Sequence, residues 1–161
     1  MEAPATSTTW PAPSPGHAIS AFGSVLAAQG YVVPQNLTTA EPWLMPELTR
    51  CEPWIVDALK GADLTMAGVR EGVAAGWFHL WRVPDGVMVT EWILSPRIRA
   101  LHVIASGGTL RAMAELTPKV EAFARLAGAS HGGATGRKGW VRWLRRFGYS
   151  PSHLSTVEKA L

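Results

Sequence analysis

Residues 76–94 read GWFHLWRVPDGVMVTEWIL, two apolar runs joined by a short polar turn. Each run is rich in the aromatic and β-branched residues that fit the pleated surface of a strand. The turn, Pro84-Asp85-Gly86, combines a proline with a fixed φ and a glycine with a free one, which suits a tight reversal. The stretch therefore predicts an antiparallel β-hairpin.

Segments on both sides of this hairpin predict a mixed fold. Before it, residues 54–61 and 64–76 have helical spacing and end in glycine. After it, residues 98–106 form a third, apolar strand, which we expect to be central. Residues 109–126 repeat apolar side chains every three or four positions, which predicts a helix that Pro118 kinks or restarts.

The remainder of the chain predicts a loop, a basic helix and a short final segment. Residues 128–136 read GASHGGATG, a glycine-rich loop. Residues 136–148 read GRKGWVRWLRRFG, a helix that ends at Gly148 and turns one apolar stripe to the sheet. Residues 153–161 add a terminal strand or turn. The stripe consists of Trp140, Trp143 or Leu144, and Phe147.

The N-terminal third predicts an extended arm. Residues 1–18 are nearly uncharged and rich in Pro, Ser, Thr and Ala, which is typical of a flexible segment, and residues 19–28 could form a short amphipathic helix. Prolines recur over residues 31–53, and each restricts its predecessor, so this piece predicts an extended connector. The predicted division is an arm, residues 1–53, and a folded domain, residues 54–161, with Trp43 and Trp54 holding the connector in place.

Composition sets the protein class. A chain that is 47% hydrophobic and 17% charged has enough apolar surface to fold, and its eight tryptophans suggest that some face a partner. The single cysteine, Cys51, excludes an internal disulfide and is expected to be a small buried hydrophobe. No run approaches the roughly 18 apolar residues of a membrane span, and the N-terminus lacks the basic start of a signal peptide. We therefore expect a soluble protein.

The order of elements and several motifs resemble the GNAT N-acetyltransferase superfamily, and more closely the small GNAT-like proteins of tailed bacteriophages. The resemblance covers about residues 50–150. It implies an α+β (mixed α/β) fold with a mostly antiparallel central sheet flanked by helices. The matching motifs, in chain order, are MAGVREG (66–72), LW (80–81), VTE (89–91), ASGG (105–108), VEAFA (120–124), GRKGW (136–140) and GY (148–149).

The resemblance also implies a place for acetyl-CoA. In the superfamily, the loop after the central strand and the start of the next helix present backbone N–H groups to the pyrophosphate, and glycines and a helix dipole suit that contact. The family loop usually reads Gln or Arg, two residues, Gly, one residue, then Gly or Ala, and this chain departs from it. A tight turn with Thr109 as helix N-cap explains the loop equally well. The candidate cofactor residues are Ala105, Ser106, Gly107, Gly108 and Thr109.

Catalytic members commonly place a tyrosine in the last helix as the general acid, and this chain has Leu144 there. The remaining candidates are Glu91, as a base toward an amine, and Tyr149, as a substitute acid. The alternative is an acid at a strand edge, solvated or paired with arginine, and a half-buried ring. The histidines lack metal-ligand spacing, so we predict no metal site.

The basic helix allows two interpretations. Interleaved arginine and tryptophan are compatible with phosphate contact and base stacking. However, an amphipathic helix on a sheet also turns its tryptophans inward and its cations outward. The pattern favours a structural or protein-contact role over nucleic-acid binding. The residues concerned are Arg137, Lys138, Arg142, Arg145 and Arg146.

Two functions follow from the resemblance. The first is a non-catalytic structural or assembly component of a phage virion, assembled in the host bacterial cytoplasm and requiring no cofactor. Its partners would be other virion proteins or copies of itself, bound through the N-terminal arm and surface tryptophans. The alternative is an acetyl-CoA-dependent N-acetyltransferase that acts on an amine of a protein or small molecule.

Overall fold

The computed structural model describes residues 44–94, 97–152 and 157–161. The predicted arm, apart from residues 44–53, lies outside this part of the chain, as do the predicted helix at 19–28 and Trp43. The described elements, in order, are α1 (Leu44–Ala58), α2 (Met66–Ala74), β1 (Phe78–Val83), β2 (Gly86–Leu94), β3 (Arg99–Gly108), α3 (Leu110–Leu126), β4 (His131–Ala134), α4 (Gly139–Leu144), a 3-10 turn (Arg145–Phe147), β5 (Ser150–Pro151) and β6 (Val157–Ala160).

The strands form one sheet of α+β type. Within the described residues it has six strands in the order β1-β2-β3-β4-β6-β5. All neighbours are antiparallel except β3 and β4, which are parallel. The predicted hairpin is confirmed, since β1 and β2 pair around the Pro84-Asp85 turn. The expectation that the third strand is central is also confirmed.

Helices cover both faces of the sheet. Val87 and Val89 of β2 belong to a buried cluster with α1 and α2, while Met88 and Trp92 belong to a second cluster with α3. We name these sides the α1–α2 face and the α3 face. Successive side chains of a strand point to opposite sides of the sheet. Because helices cover both sides, β2 is buried from Gly86 to Ile93.

The prediction of an extended connector is wrong over residues 44–53, which form most of α1. Pro46 falls in the first turn, where its missing N–H costs no intrahelical hydrogen bond. Leu48, Cys51 and Ile55 follow helical spacing and are buried in the core. This burial outweighs the hydrogen bond that Pro53 removes, and it confirms Cys51 as a small core residue.

The glycine-rich segment contains a strand that the sequence did not predict. His131–Ala134 form β4, parallel to β3 and antiparallel to β6. Its two central glycines have little preference for a strand, so the pairing comes from the neighbours on both sides. At Gly132, an added Cβ would lie 3.0 Å from the Tyr149 hydroxyl, so the residue leaves room for that ring.

The two C-terminal helices match their predictions in part. Thr109 is the N-cap of α3, as predicted, and α3 is continuous through Pro118. The basic helix is shorter than predicted, because only Gly139–Leu144 are α-helical before the 3-10 turn. Gly148 ends that turn with φ +86°, as its position predicted.

Candidate functional site

A gap opens where β3 and β4 part. The two strands pair from Ala100 to Val103, and the last backbone bond runs from the Thr135 N–H to the Val103 carbonyl at 3.1 Å. β3 then continues to Gly108 without this neighbour. The carboxyl ends of adjacent parallel strands are where open α/β sheets form ligand crevices. The parallel pair therefore places a candidate cleft beside residues 104–108.

Two cavities adjoin at this gap. The larger has a volume of about 210 Å³ and is lined by Gly107 and Arg137, among others. The smaller, about 30 Å³, has room for only a few water-sized groups. Only the larger cavity could admit part of a ligand. The residues that line both cavities are Ser106, Thr135, Gly136 and Trp140.

A β-bulge shapes the wall of the larger cavity. Val89 pairs with Ala105 and Thr90 pairs with Val103, so Ile104 has no partner on β2. Bulges bend a strand and are frequent beside binding and active sites. The apolar pattern of residues 98–106 carried no signal for it, because two consecutive apolar side chains look the same in a paired and a bulged strand.

The predicted cofactor loop is packed against the protein itself. A Cβ on Gly107 would lie 2.7 Å from the Trp54 carbonyl oxygen, and one on Gly108 would lie 2.2 Å from the Asp85 carbonyl oxygen. Gly108 also has φ +111°, which disfavours other residues. Both glycines are thus required by the close approach of α1 and of the hairpin turn.

The start of α3 already faces a carboxylate. The Thr109 hydroxyl accepts the Ala112 N–H at 3.1 Å and donates to Asp85 Oδ2 at 2.7 Å. The Thr109 N–H donates to the Asp85 carbonyl at 3.0 Å. A negative charge at this position satisfies the helix dipole and repels a second anion. These contacts account for the turn, from Ala105 to Thr109, as the start of a helix.

Glu91 lies inside the protein and lines neither cavity. It is fully buried in the middle of β2, on the α1–α2 face, with Phe78 and His102 as cross-strand neighbours. His102 Nε2 is 2.9 Å from Thr135 Oγ1, and burial lowers the pKa of His102 to about 3. Its neighbour is therefore a neutral imidazole. The expectation of an acid at a strand edge is wrong, because β2 is an inner strand.

Tyr149 lies on the opposite face of the sheet. It is buried beside Gly132 and lines the smaller cavity. Burial raises the pKa of the phenol well above its usual range, and the nearby Glu121 carboxylate raises it further. A general acid works best with a pKa near the ambient pH. The sheet separates Glu91 from Tyr149, so the structure does not bring the two catalytic candidates together.

Leu144 occupies the wall of the smaller cavity. It is buried, whereas Trp140, Trp143 and Phe147 are half-buried. The Trp140 and Trp143 rings meet edge-on at 5.4 Å, and Trp143 and Phe147 lie 4.9 Å apart. The residue at the expected acid position therefore serves as an apolar contact for the sheet.

The other two histidines in the described part of the chain, His79 and His131, have ordinary partners. Trp92 Nε1 donates to His79 Nε2 at 3.1 Å, and burial lowers the pKa of His79 to about 4. His131 Nδ1 lies 2.9 Å from Ser130 Oγ. Among the residues that the structure describes, no group of three or more His, Cys, Asp or Glu side chains could hold a metal ion.

Two contacts near the cleft were missed in the sequence, those of Asp85 with Thr109 and of Arg137 with Asp57. Asp85 was interpreted only as a turn residue. Its contact with Thr109 could not be predicted, because the two residues lie 24 positions apart in the chain. Arg137 was read only as part of a basic face. It reaches α1, where it donates to the Asp57 carbonyl at 3.1 Å and lies 3.6 Å from the Asp57 carboxylate. This contact borders the larger cavity.

No protein-family model matches the sequence, and no curated protein matches it. Among the helices of the described ranges, none has the length and apolarity needed to cross a membrane.

Proposed function

We propose that this chain is a GNAT-like protein of a tailed bacteriophage and acts as a structural or assembly component of the virion without catalysis. The observation that carries the non-catalytic part is the separation of Glu91 and Tyr149 by the sheet. Leu144, at the position of the expected acid, is apolar and buried. No pair of the candidate groups can act on one substrate in this arrangement.

The family assignment is supported by where the motifs fall in the fold. VTE lies inside β2, ASGG lies at the passage from β3 to α3, and GRKGW leads into α4 beside the cleft. The parallel β3–β4 pair provides the gap at which a GNAT ligand loop would sit. These positions agree with the order that the resemblance implies.

The virion role is supported by surfaces suited to contacts. Trp140, Trp143 and Trp81 remain half-buried, and such rings favour protein interfaces. The N-terminal segment, which we propose as a second contact, is nearly uncharged. The partners would be other virion proteins or further copies of the chain. Quantitative mass spectrometry of purified virions should find the chain in a fixed copy number, and its absence from them would refute the role.

An N-acetyltransferase is the second candidate, and the larger cavity favours it. Its 210 Å³ are lined by Ser106 to Gly108 and by Arg137, among others. If acetyl-CoA binds there, millimolar ligand should raise the melting temperature by linkage, and Arg137→Gln should reduce the shift. No shift, together with no acetylated product from a panel of amines, would retire this candidate.

A further inference from the structure

The helical segment after the cleft carries a line of like charges. Four cations of this segment are exposed, and Arg142 lies three or four residues from each of the others. They are Lys138, Arg142, Arg145 and Arg146. We name these four residues the basic strip. Like charges at this spacing repel one another along a helix and destabilise it.

Four other exposed cations of the described chain are paired with acids at helical spacing. Each of these cations lies three or four residues from its acid, in a helix or in the turn after α1. In the part of the chain that the structure describes, none of the four strip residues forms an ion pair. The pairs at helical spacing elsewhere are Arg50–Glu47, Lys60–Asp57, Lys119–Glu115 and Arg125–Glu121.

Interaction with the helix dipole does not explain the positions of all four cations of the basic strip. Cations near the C-terminus of a helix are favourable, which applies to Arg145 and Arg146. Lys138, however, is at the N-cap of α4, where a negative or neutral acceptor is preferred, and it makes no side-chain capping bond. The sequence offers no compensating acid either, since no Asp or Glu occurs between Glu121 and Glu158.

A cation–π contact restrains one guanidinium of the basic strip. Arg146 lies over the Trp143 ring at 5.6 Å, which restrains the side chain while its N–H donors remain exposed. Three of the four residues are arginines, whose planar donors match the oxygens of a phosphate better than a lysine does. An unpaired, partly pre-ordered row of this kind fits a row of phosphates.

We propose that the basic strip binds the phosphodiester backbone of a nucleic acid. The proposal rests on charge and geometry and is independent of the virion role. The contact is sequence-independent, because backbone phosphates carry no base information. Binding should weaken steeply with salt, since each neutralised phosphate releases counterions.

The test uses the full chain and fluorescence anisotropy with labelled duplex DNA and single-stranded RNA of about 30 nucleotides, over roughly 50 to 200 mM NaCl. The strip variant replaces Lys138, Arg142, Arg145 and Arg146 with Gln. The control variant replaces four exposed cations elsewhere, Arg50, Lys60, Arg111 and Lys119, so both variants have the same net charge. Circular dichroism confirms that each is folded.

We expect the strip variant to bind about tenfold or more weakly at 100 mM salt, with the slope of log K against log salt reduced by about 3 to 4. The control variant should keep most of the affinity. Equal losses in both variants would show that net charge alone acts, and would overturn the proposal. So would failure of the parent chain to bind either nucleic acid at the lowest salt, or equally tight binding to polyglutamate, which would indicate an acidic protein partner.

Discussion

His79 and His102 are held uncharged by burial, with pKa values of about 4 and about 3 against an ordinary value near 6.5. At a pH between these folded-state pKa values and about 6.5, the two histidines bind protons in the unfolded chain but not in the folded protein. Their contribution to stability is therefore complete above about pH 6.5 and is lost as the pH falls toward 4 and then 3.

Urea denaturation from pH 7 to pH 5 checks this pH dependence. The free energy of unfolding should fall by up to about 1.4 kcal/mol per pH unit for each histidine, below their unfolded pKa. His79→Gln removes one titrating group and keeps an acceptor for Trp92 Nε1, so it should flatten the slope. A stability that stays constant over this range would contradict the buried neutral histidines.

Gly108 is the residue whose replacement tests the packing of the predicted cofactor loop. Gly108→Ala meets the Asp85 backbone at a positive φ, whereas Gly128→Ala has a positive φ but open space around it. The first should destabilise the protein by about 1–3 kcal/mol more than the second, because both share the φ strain and only one clashes. Chemical denaturation measures both, and equal losses would mean that the loop is loosely packed.

At the scale of elements, α3 depends on the turn that begins it. Thr109→Ala removes the cap on Ala112 and the bond to Asp85, and should cost about 1 kcal/mol of stability. Thr109→Ser keeps the hydroxyl and should restore most of it. Thermal denaturation of the two variants provides the measurement. A Ser variant as unstable as the Ala variant would show that the hydroxyl is not the stabilising group.

The sequence allowed the local elements to be predicted better than the long-range ones. The β1–β2 hairpin and α3 were predictable because periodicity, turn residues and caps agree within a short segment. The helical structure of residues 44–53 was hidden by prolines, whose cost is offset by core contacts with distant strands. β4 was hidden by its glycines, since only pairing with β3 and β6 makes it a strand.

The candidate site shows the same limit. Thr109 as N-cap followed from its place before an apolar period. The stripe left Trp143 or Leu144 open as the inward residue, and the structure buries Leu144. The opposite placement of Glu91 and Tyr149 could not be predicted, because it depends on strand order and on which face each element covers. The contact of Arg137 with Asp57 likewise joins residues far apart in the chain.

At the scale of the whole molecule, the sheet divides the protein into two compartments. The α1–α2 face contains Glu91 and His102, and the α3 face contains Tyr149 and Leu144. At the gap between β3 and β4, the two cavities share four lining residues. A role that needs the fold and its surfaces, and no catalytic pair, fits this division.

The most direct test of the proposed virion role is complementation in a tailed phage that encodes this chain, which we propose as its source. A phage that lacks this chain should yield few complete particles. Supplied in trans, the parent chain and Tyr149→Phe, which removes only the candidate acid's hydroxyl, should restore particle yield equally, with both present in the particles. Normal particle yield without the chain would contradict the structural role. Restoration by the parent chain but not by a folded Tyr149→Phe chain would contradict the absence of catalysis.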